Sequence, residues 1–204
     1  MLEHEPTVFI VDDDAVMRNG TSQLVETVGL KTKVFASAQE FLDSYDPVQP
    51  GCLVLDVRMP GISGLQLQEK LAESSIEFPV IFMTGHGNVR MAVDAVKKGA
   101  IDFIEKPFDD QYLLDQINNA IARDAKDRKN RFQRQAIEVK LALLTPRECQ
   151  VLSLVKDGKN SKAIALKLSL SQKTVEGHRA HIMDKMQVET VAGLVMCVSK
   201  VSDA

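Results

Sequence analysis

Apolar residues in the first half of the chain fall in short continuous runs, and each run ends on a reactive polar residue. Val8-Phe-Ile-Val11 stops at Asp12 and Asp13, Cys52-Leu-Val-Leu55 at Asp56, Pro79-Val-Ile-Phe-Met83 at Thr84, and Ile101-Asp-Phe-Ile-Glu105 at Lys106. A run without polar alternation predicts a strand buried on both faces, as in a parallel sheet. A weaker strand is expected at 32–35. Helix-length segments at 14–28, 38–45, 65–72 and 89–98 separate the runs, punctuated by Gly29, Pro47, Pro60, Gly61, Gly64 and Gly99. The alternation predicts five βα units, hence a doubly wound α/β domain. Parallel strands share one carboxyl edge, where open α/β sheets bind their ligands. Three aspartates, a threonine and a lysine should therefore converge on one pocket.

The pattern then changes period. From 111 to 144 there is no Gly or Pro, and Leu114, Ile117, Ile121, Ala125, Phe132, Ala136, Val139 and Leu143 recur at helical spacing, with Arg128 interrupting the series. One long helix is expected, either a charged spacer or a dimerising coiled coil. Thr145-Pro-Arg-Glu148 reads as an N-cap, a proline at the first helical position and a glutamate that completes a capping box. Helices are expected at 146–157, 161–168, 172–186 and 191–200. The three-residue connection Ser169-Leu-Ser171 makes the middle pair a helix-turn-helix with 172–186 as its recognition helix, inside a small all-α four-helix domain.

Charge divides the chain at the same places. Residues 1–123 carry 10 basic and 19 acidic side chains, 124–140 carry 6 and 3, and 141–204 carry 9 and 6. An acidic domain followed by a mildly basic remainder points to metal or phosphate chemistry in front and a polyanion behind. Cys52, Cys149 and Cys197 are odd in number and sit in apolar stretches, which predicts reduced core thiols of a cytosolic protein. No leader pattern precedes the first strand, and no run approaches the ~18 apolar residues of a membrane span, so a soluble intracellular protein is expected.

The strand-end residues suit phosphoryl transfer onto Asp56, since carboxylates act as nucleophiles in aspartyl-phosphate chemistry. Magnesium takes oxygen ligands and usually one or two carboxylates. Asp12, Asp13 and Asp56 supply them, with the Arg58 carbonyl within reach. Lys106 would balance a phosphate oxygen, and the Thr84 hydroxyl would donate to another. Singly, each has an ordinary reading: Asp13 or Asp14 as a helix cap, Thr84 as a turn hydroxyl, Lys106 as a surface lysine. A rival from another class is a haloacid-dehalogenase-like phosphatase, because Asp12-Asp-Asp14 also spells D-x-D after a strand.

On the recognition helix, Val175, Ile182 and Met186 share the face that should pack, while Lys173, Gly177, Ala180 and Asp184 point away. Glu176 lies on one shoulder, and Thr174, His178, His181 and Lys185 lie on the other.

Residues 1–122 resemble the receiver domain of bacterial two-component response regulators, through VDDD at 11–14, LVLDVRMPGISG at 53–64, MTGHG at 83–87 and AIDFIEKPF at 100–108. Residues 141–204 resemble the LuxR-type helix-turn-helix, through LTPRECQVL at 144–152 and KAIALKLSLSQKTVEGHRAHIMDKM at 162–186. Together they are most similar to the FixJ branch.

The resemblance implies a flavodoxin-like five-stranded receiver, a helical linker at 123–140 and a DNA-binding domain. It implies a sensor histidine kinase as donor to Asp56, Mg2+ on Asp12 and Asp13, phosphate contacts from Thr84 and Lys106, a cis Lys106-Pro107 bond, and Phe103 as the switch aromatic. Glu176, Gly177 and Ala180 would read bases, with phosphate contacts from Lys162, Lys173, His178, Arg179 and Lys185. Further implied partners are a second copy of the chain on double-stranded DNA and RNA polymerase, in the cytoplasm. Arg58 and His86 lie where family side chains overlook the phosphoryl group and would set its lifetime. Gly85 stands where many receivers carry alanine, and Thr190-Val-Ala192 where an arginine is usual. A degenerate receiver with constitutive DNA binding remains the alternative within the family.

Overall fold

A computed structural model describes residues 5–74, 76, 78–85 and 89–202. Five strands, β1 (Thr7–Val11), β2 (Lys31–Phe35), β3 (Gly51–Asp56), β4 (Val80–Thr84) and β5 (Asp102–Glu105), form one parallel sheet in the order β2-β1-β3-β4-β5. Helices α1 (Ala15–Thr27), α2 (Ala38–Ser44), α3 (Gly64–Glu73) and α4 (Val89–Lys97) form the crossovers, and α5 (Asp110–Leu141) follows the last strand. The doubly wound expectation holds. Strand bounds differ from the apolar runs by one residue at several ends, because pairing extends to Thr7, Gly51 and Thr84, which periodicity does not weigh.

Burial on both faces follows from the strand sequences. Phe9, Val11, Leu53, Leu55 and Phe82 pack into one core, and the alternate residues Val8, Ile10, Cys52, Val54, Ile81 and Met83 pack into another. The edge strand β2 is largely exposed, which explains its weaker apolar signal.

Helix starts fall where side chains can hold free amides. Asp14 accepts from the amides of Val16 and Met17, and Ser37 accepts from that of Glu40. Ser63 and Thr145 each complete a capping box, with Gln66 and Glu148.

The chain separates into two compact units, Met1–Arg128 and Lys129–Ala204. The first extends past the expected boundary at 122 because the turn of α5 after it is anchored. Asp124, 2% exposed, accepts from the Gly51 amide at 2.9 Å and from Arg128 Nε at 2.8 Å. The Arg128 guanidinium also donates to the carbonyls of Pro47, Val48 and Gln49 at 3.1, 3.0 and 2.7 Å. Arg128 thus does more than interrupt an apolar series: it fixes α5 to the loop before β3.

In the second unit, α6 (Pro146–Lys156), α7 (Ser161–Leu168), α8 (Gln172–Met186) and α9 (Val191–Ser202) surround a core that includes Val151, Ile164, Val175, Ile182, Met186 and Leu194. Ile137 and Leu141 of α5 pack into the same core, so this domain also begins earlier than expected. Ser169, in the left-handed region at φ 54°, turns the chain between α7 and α8. Of the three cysteines only Cys52 is buried, and Cys149 is exposed, contrary to the core-thiol expectation. Apolar neighbours in sequence did not place Cys149 inside, because α6 buries its other face. Among the described residues, no helix is long and apolar enough to cross a membrane.

Candidate functional site

Sheet order reverses direction between β1 and β3, and the crevice outside their carboxyl ends is where such sheets bind ligands. Asp12 follows β1 and is 1% exposed; Asp56 ends β3 and is 6% exposed. The Lys106 ammonium lies between them, donating to Asp12 Oδ2 and to Asp56 Oδ1 at 2.7 Å each. The remaining oxygens are held by backbone. Asp12 Oδ1 accepts from the Asp14 amide at 2.9 Å, and Asp56 Oδ2 accepts from the Arg58 amide at 2.6 Å.

Burial pushes the Asp56 carboxyl above the usual carboxylate range, and neighbouring Asp12 adds to this; Lys106 and the Arg58 amide pull in the opposite direction without cancelling it. Burial also works against the charge on Lys106, but its bonds to Asp12 and Asp56 prevail and hold the ammonium above its ordinary value. The lysine is therefore a fixed cation.

The turns around the pocket are close-fitting. Arg18 Nη1 donates to the Asp12 carbonyl at 2.7 Å and braces the β1–α1 turn, a contact that no sequence spacing announced. Gly64 donates its amide to the Val57 carbonyl at 3.1 Å, and a Cβ there would collide with the Asp56 carbonyl oxygen. Only glycine lets the start of α3 approach β3 this closely. The Lys106 amide bonds to the Thr84 carbonyl at 2.8 Å, and the Lys106–Pro107 bond is cis.

Thr84 is buried at the end of β4. Phe103 is half-buried on β5, its ring 6.1 Å from that of Phe82. Asp13 and the Arg58 side chain are exposed at the rim. His86 lies outside the described residues.

Among the described residues, no three acidic, histidine or cysteine side chains are gathered as a ready metal cluster, since Lys106 occupies the space between Asp12 and Asp56. The donor set nevertheless fits magnesium. One ammonium balances only one of two buried carboxylates, Asp13 adds a third at the rim, and all are hard oxygen donors.

In the second unit the packed face of α8 is as expected: Val175, Ile182 and Met186 are fully buried. Lys173, Thr174, Glu176 and Ala180 are exposed, while Gly177 and His178 are half-covered. Lys162 is exposed on α7. Glu176 accepts from Gln172 Nε2 at 2.8 Å, and Thr174 Oγ1 lies 2.7 Å from Ser171 Oγ at the cap. Arg179, half-buried, donates to Ser161 Oγ at 3.2 Å.

Lys185 is placed differently from the expected phosphate contact. Its ammonium donates to Glu148 Oε2 at 2.7 Å and to the Leu143 carbonyl at 3.1 Å, so the domain's own core edge engages it. That bond, with the Thr145 amide, depresses the Glu148 carboxyl to about 2.

A depressed acid adds stability that is present above its unfolded pKa and is lost as pH falls through the folded one. Glu148→Gln should therefore destabilise the DNA-binding unit by about 1–3 kcal/mol at neutral pH. In pH-dependent denaturant melts the gap between variant and wild type should close between pH 4.5 and about 2.

Gly177 lies in mid-helix with open space where a Cβ would stand. Gly177→Ala should stabilise the domain by about 0.5–1 kcal/mol through helix propensity. If the bare backbone is there for close approach to DNA, the same change should weaken DNA binding, which parallel melts and binding titrations separate.

A doubly wound domain with an acidic strand-end pocket, followed by a helix-turn-helix, defines a two-part signalling regulator. Two family models match in that order: response regulator receiver domain over residues 8–118, and bacterial regulatory proteins, luxR family, over 142–198. The chain belongs to the response regulators that join a receiver to a LuxR-type DNA-binding domain, and it acts in transcriptional regulation. It is 42% identical to the response regulator protein TmoT of Ectopseudomonas mendocina over 204 residues, covering 100% of this chain and 93% of that one. It is 40% identical over 188 residues to the transcriptional regulatory protein FixJ of Bradyrhizobium diazoefficiens, covering 92% of each. Among solved structures, that of response regulator StyR is similar with a TM-score of 0.84 and 44% identity, covering 96% of this chain and 99% of that one.

Proposed function

We propose that a sensor histidine kinase supplies a phosphoryl group to Asp56, and that this modification promotes pairing of two receivers and binding of two recognition helices to double-stranded DNA. The observation that carries the reading is the Lys106 ammonium shared between Asp12 and Asp56 at 2.7 Å each, at the sheet's switch point. An Asp56 carboxylate oxygen attacks phosphorus, the bond from phosphorus to the donor nitrogen breaks, and the leaving imidazole keeps the electron pair. Lys106 then exchanges its bond to Asp56 for one to a phosphoryl oxygen, retaining Asp12, and the Thr84 hydroxyl donates to another. Mg2+ held by Asp12, Asp13 and Asp56, with the Arg58 carbonyl, would neutralise charge on the phosphoryl oxygens when bound.

Drawing Thr84 toward the phosphate opens space for the half-buried Phe103 ring to turn inward, and that packing change alters the receiver face. Arg58 and His86 govern the lifetime of the modification, and an unchanged decay rate after replacing each would remove them from that role. On DNA, Glu176 accepts from a cytosine amino group, Ala180 meets a thymine methyl, and Gly177 permits close approach. Lys162, Lys173, Thr174 and His178 reach phosphates. Arg179 joins them by releasing Ser161; Lys185 would have to give up Glu148 and is the weakest member of the set. The bound dimer acts on RNA polymerase in the cytoplasm. The protein serves as a phosphoacceptor rather than a catalyst of continuous turnover.

Intact mass after incubation with Mg2+ and a small acyl-phosphate donor tests the first step. One phosphoryl adduct per chain is expected, and chelation of the metal should abolish it. Continuous donor consumption without an adduct would contradict the phosphoacceptor role.

A further inference from the structure

We propose that the receiver holds a small amphipathic organic acid in a cavity at the sheet edge opposite Asp56, with Gln68 Oε1 accepting a hydrogen bond from the ligand and Arg123 pairing with its carboxylate. The inference is independent of the phosphoacceptor reading and concerns the other end of the same strands.

The cavity lies where β4 and β5 begin, between the last turns of α3, the turn after α4, and α5, and measures about 640 Å³. That volume falls within the roughly 300–1,000 Å³ of small-molecule sites, which are mostly apolar with a few convergent polar groups. Leu71, Ile76, Phe78, Val80 and Ile101 supply apolar walls. The opening carries Lys98, Arg123 and Asp127, whose side chains are 51%, 58% and 44% exposed. An apolar body inside and a charged end at the mouth is thus the shape of ligand that this cavity accepts.

Gln68 supplies the polar group of the interior. It lines the cavity and is 6% exposed. Its Nε2 donates to the carbonyls of Ala95 and Lys98 at 3.4 and 3.3 Å. Reversing the amide would set its oxygen against two carbonyl oxygens, so the nitrogen belongs on that side. The oxygen is then what Gln68 has left to offer, and it finds no hydrogen-bond partner among the described residues. A buried carbonyl oxygen without a donor costs free energy, which a ligand bearing an N–H or O–H recovers.

Charge at the mouth selects the other end of the ligand. Asp124 also borders the cavity, but the Gly51 amide and Arg128 engage it. Lys98 is paired with Glu69 at 2.6 Å. The Arg123 guanidinium approaches Asp127 at 3.7 Å, beyond hydrogen-bond distance, and the half-exposed Asp127 side chain can turn to solvent. A carboxylate can take the planar fork of Arg123 through two parallel bonds, a geometry that the Asp127 contact does not achieve. An ammonium would instead meet Lys98 and Arg123 together.

Titration of the nitrogen-labelled full chain, followed by amide NMR shifts, tests the site with indole-3-acetate, which joins an apolar ring, one N–H and a carboxylate. 1-Naphthylacetate keeps the ring size and the carboxylate without the N–H, and tryptamine exchanges the carboxylate for an ammonium. Wild type should bind indole-3-acetate with a Kd of about 1 mM or tighter, the level open to a ligand of that size. It should bind 1-naphthylacetate about fivefold more weakly and tryptamine at least about tenfold more weakly. Shifts should centre on Gln68, Gly99 and Asp124 and leave Asp12 and Lys106 unmoved. Gln68→Met should erase the preference between the two acids, Arg123→Gln should weaken both at least about tenfold, and Ala72→Trp at the exposed rim should close the mouth and abolish binding. Arg123→Gln and Ala72→Trp should melt like the wild type, because both positions are exposed. No saturable binding of indole-3-acetate by about 10 mM, equal binding of both acids to wild type, or undiminished binding by Arg123→Gln or Ala72→Trp would each overturn the proposal. The comparison of the two acids on wild type decides the role of Gln68 even where Gln68→Met fails to fold.

Discussion

Asp56→Asn should carry no phosphoryl group under conditions where the wild type gains one per chain, and it should fold at least as stably. The first part follows from chemistry: an amide oxygen is a poor nucleophile, and no other carboxylate in the pocket is presented in the same way. Asp12 is the nearest rival, but its side chain is more deeply enclosed, 1% exposed against 9% for that of Asp56. The second part follows from linkage. Asp56 is pushed up in the folded chain, foremost by burial, so its ionisation opposes folding: the associated stability is present at acid pH and lost as pH rises through the folded value. Asn removes that opposition and still offers an oxygen to the Arg58 amide or to Lys106. Melts of the two proteins should therefore differ at neutral pH in the variant's favour and converge in acid. An adduct on the variant would shift the chemistry to another residue.

Breaking the Asp124–Arg128 pair should have the largest effect on stability. Asp124 is buried, and Arg128 alone joins it to three carbonyls of the loop before β3. Removing one member leaves a buried charge without its partner, which costs about 3–5 kcal/mol. Arg128→Ala should lose this much in denaturant melts, with Asp124→Ala comparable because the Gly51 amide is orphaned too. The double variant should lose much less than the sum. Arg128→Lys should recover little, since an ammonium cannot reproduce the planar fork that reaches a carboxylate and three carbonyls together. Additive losses would show that the two side chains act independently.

The strand-end residues of the pocket and the Asp124–Arg128 anchor differ greatly in how far local sequence reveals them. Asp12, Asp56, Thr84 and Lys106 stood out because each ends an apolar run, and a parallel sheet brings run ends together whatever the intervening loops do. Helix starts were equally plain, since Thr145 and Glu148 or Ser171 and Thr174 act over three residues. By contrast, Asp124 meets Gly51 across 73 positions and Lys185 meets Glu148 across 37, and no local period encodes such meetings. Arg128 therefore read as a gap in a stripe and Lys185 as a free phosphate contact. Local spacing also did not foretell that Lys106 would stand between the two carboxylates, although it did place all three at one edge.

Under the proposed function, modification of Asp56 controls DNA binding. The most direct test of that control selects DNA duplexes from a random pool with wild-type protein, then measures affinity for them at fixed salt with and without the phosphodonor, for wild type and Asp56→Asn. The treated wild type should bind at least about tenfold more tightly, as a two-site dimer requires, and the variant should not respond. Equal, tight binding by wild type and variant with and without donor would contradict such control and identify a constitutive DNA-binding protein.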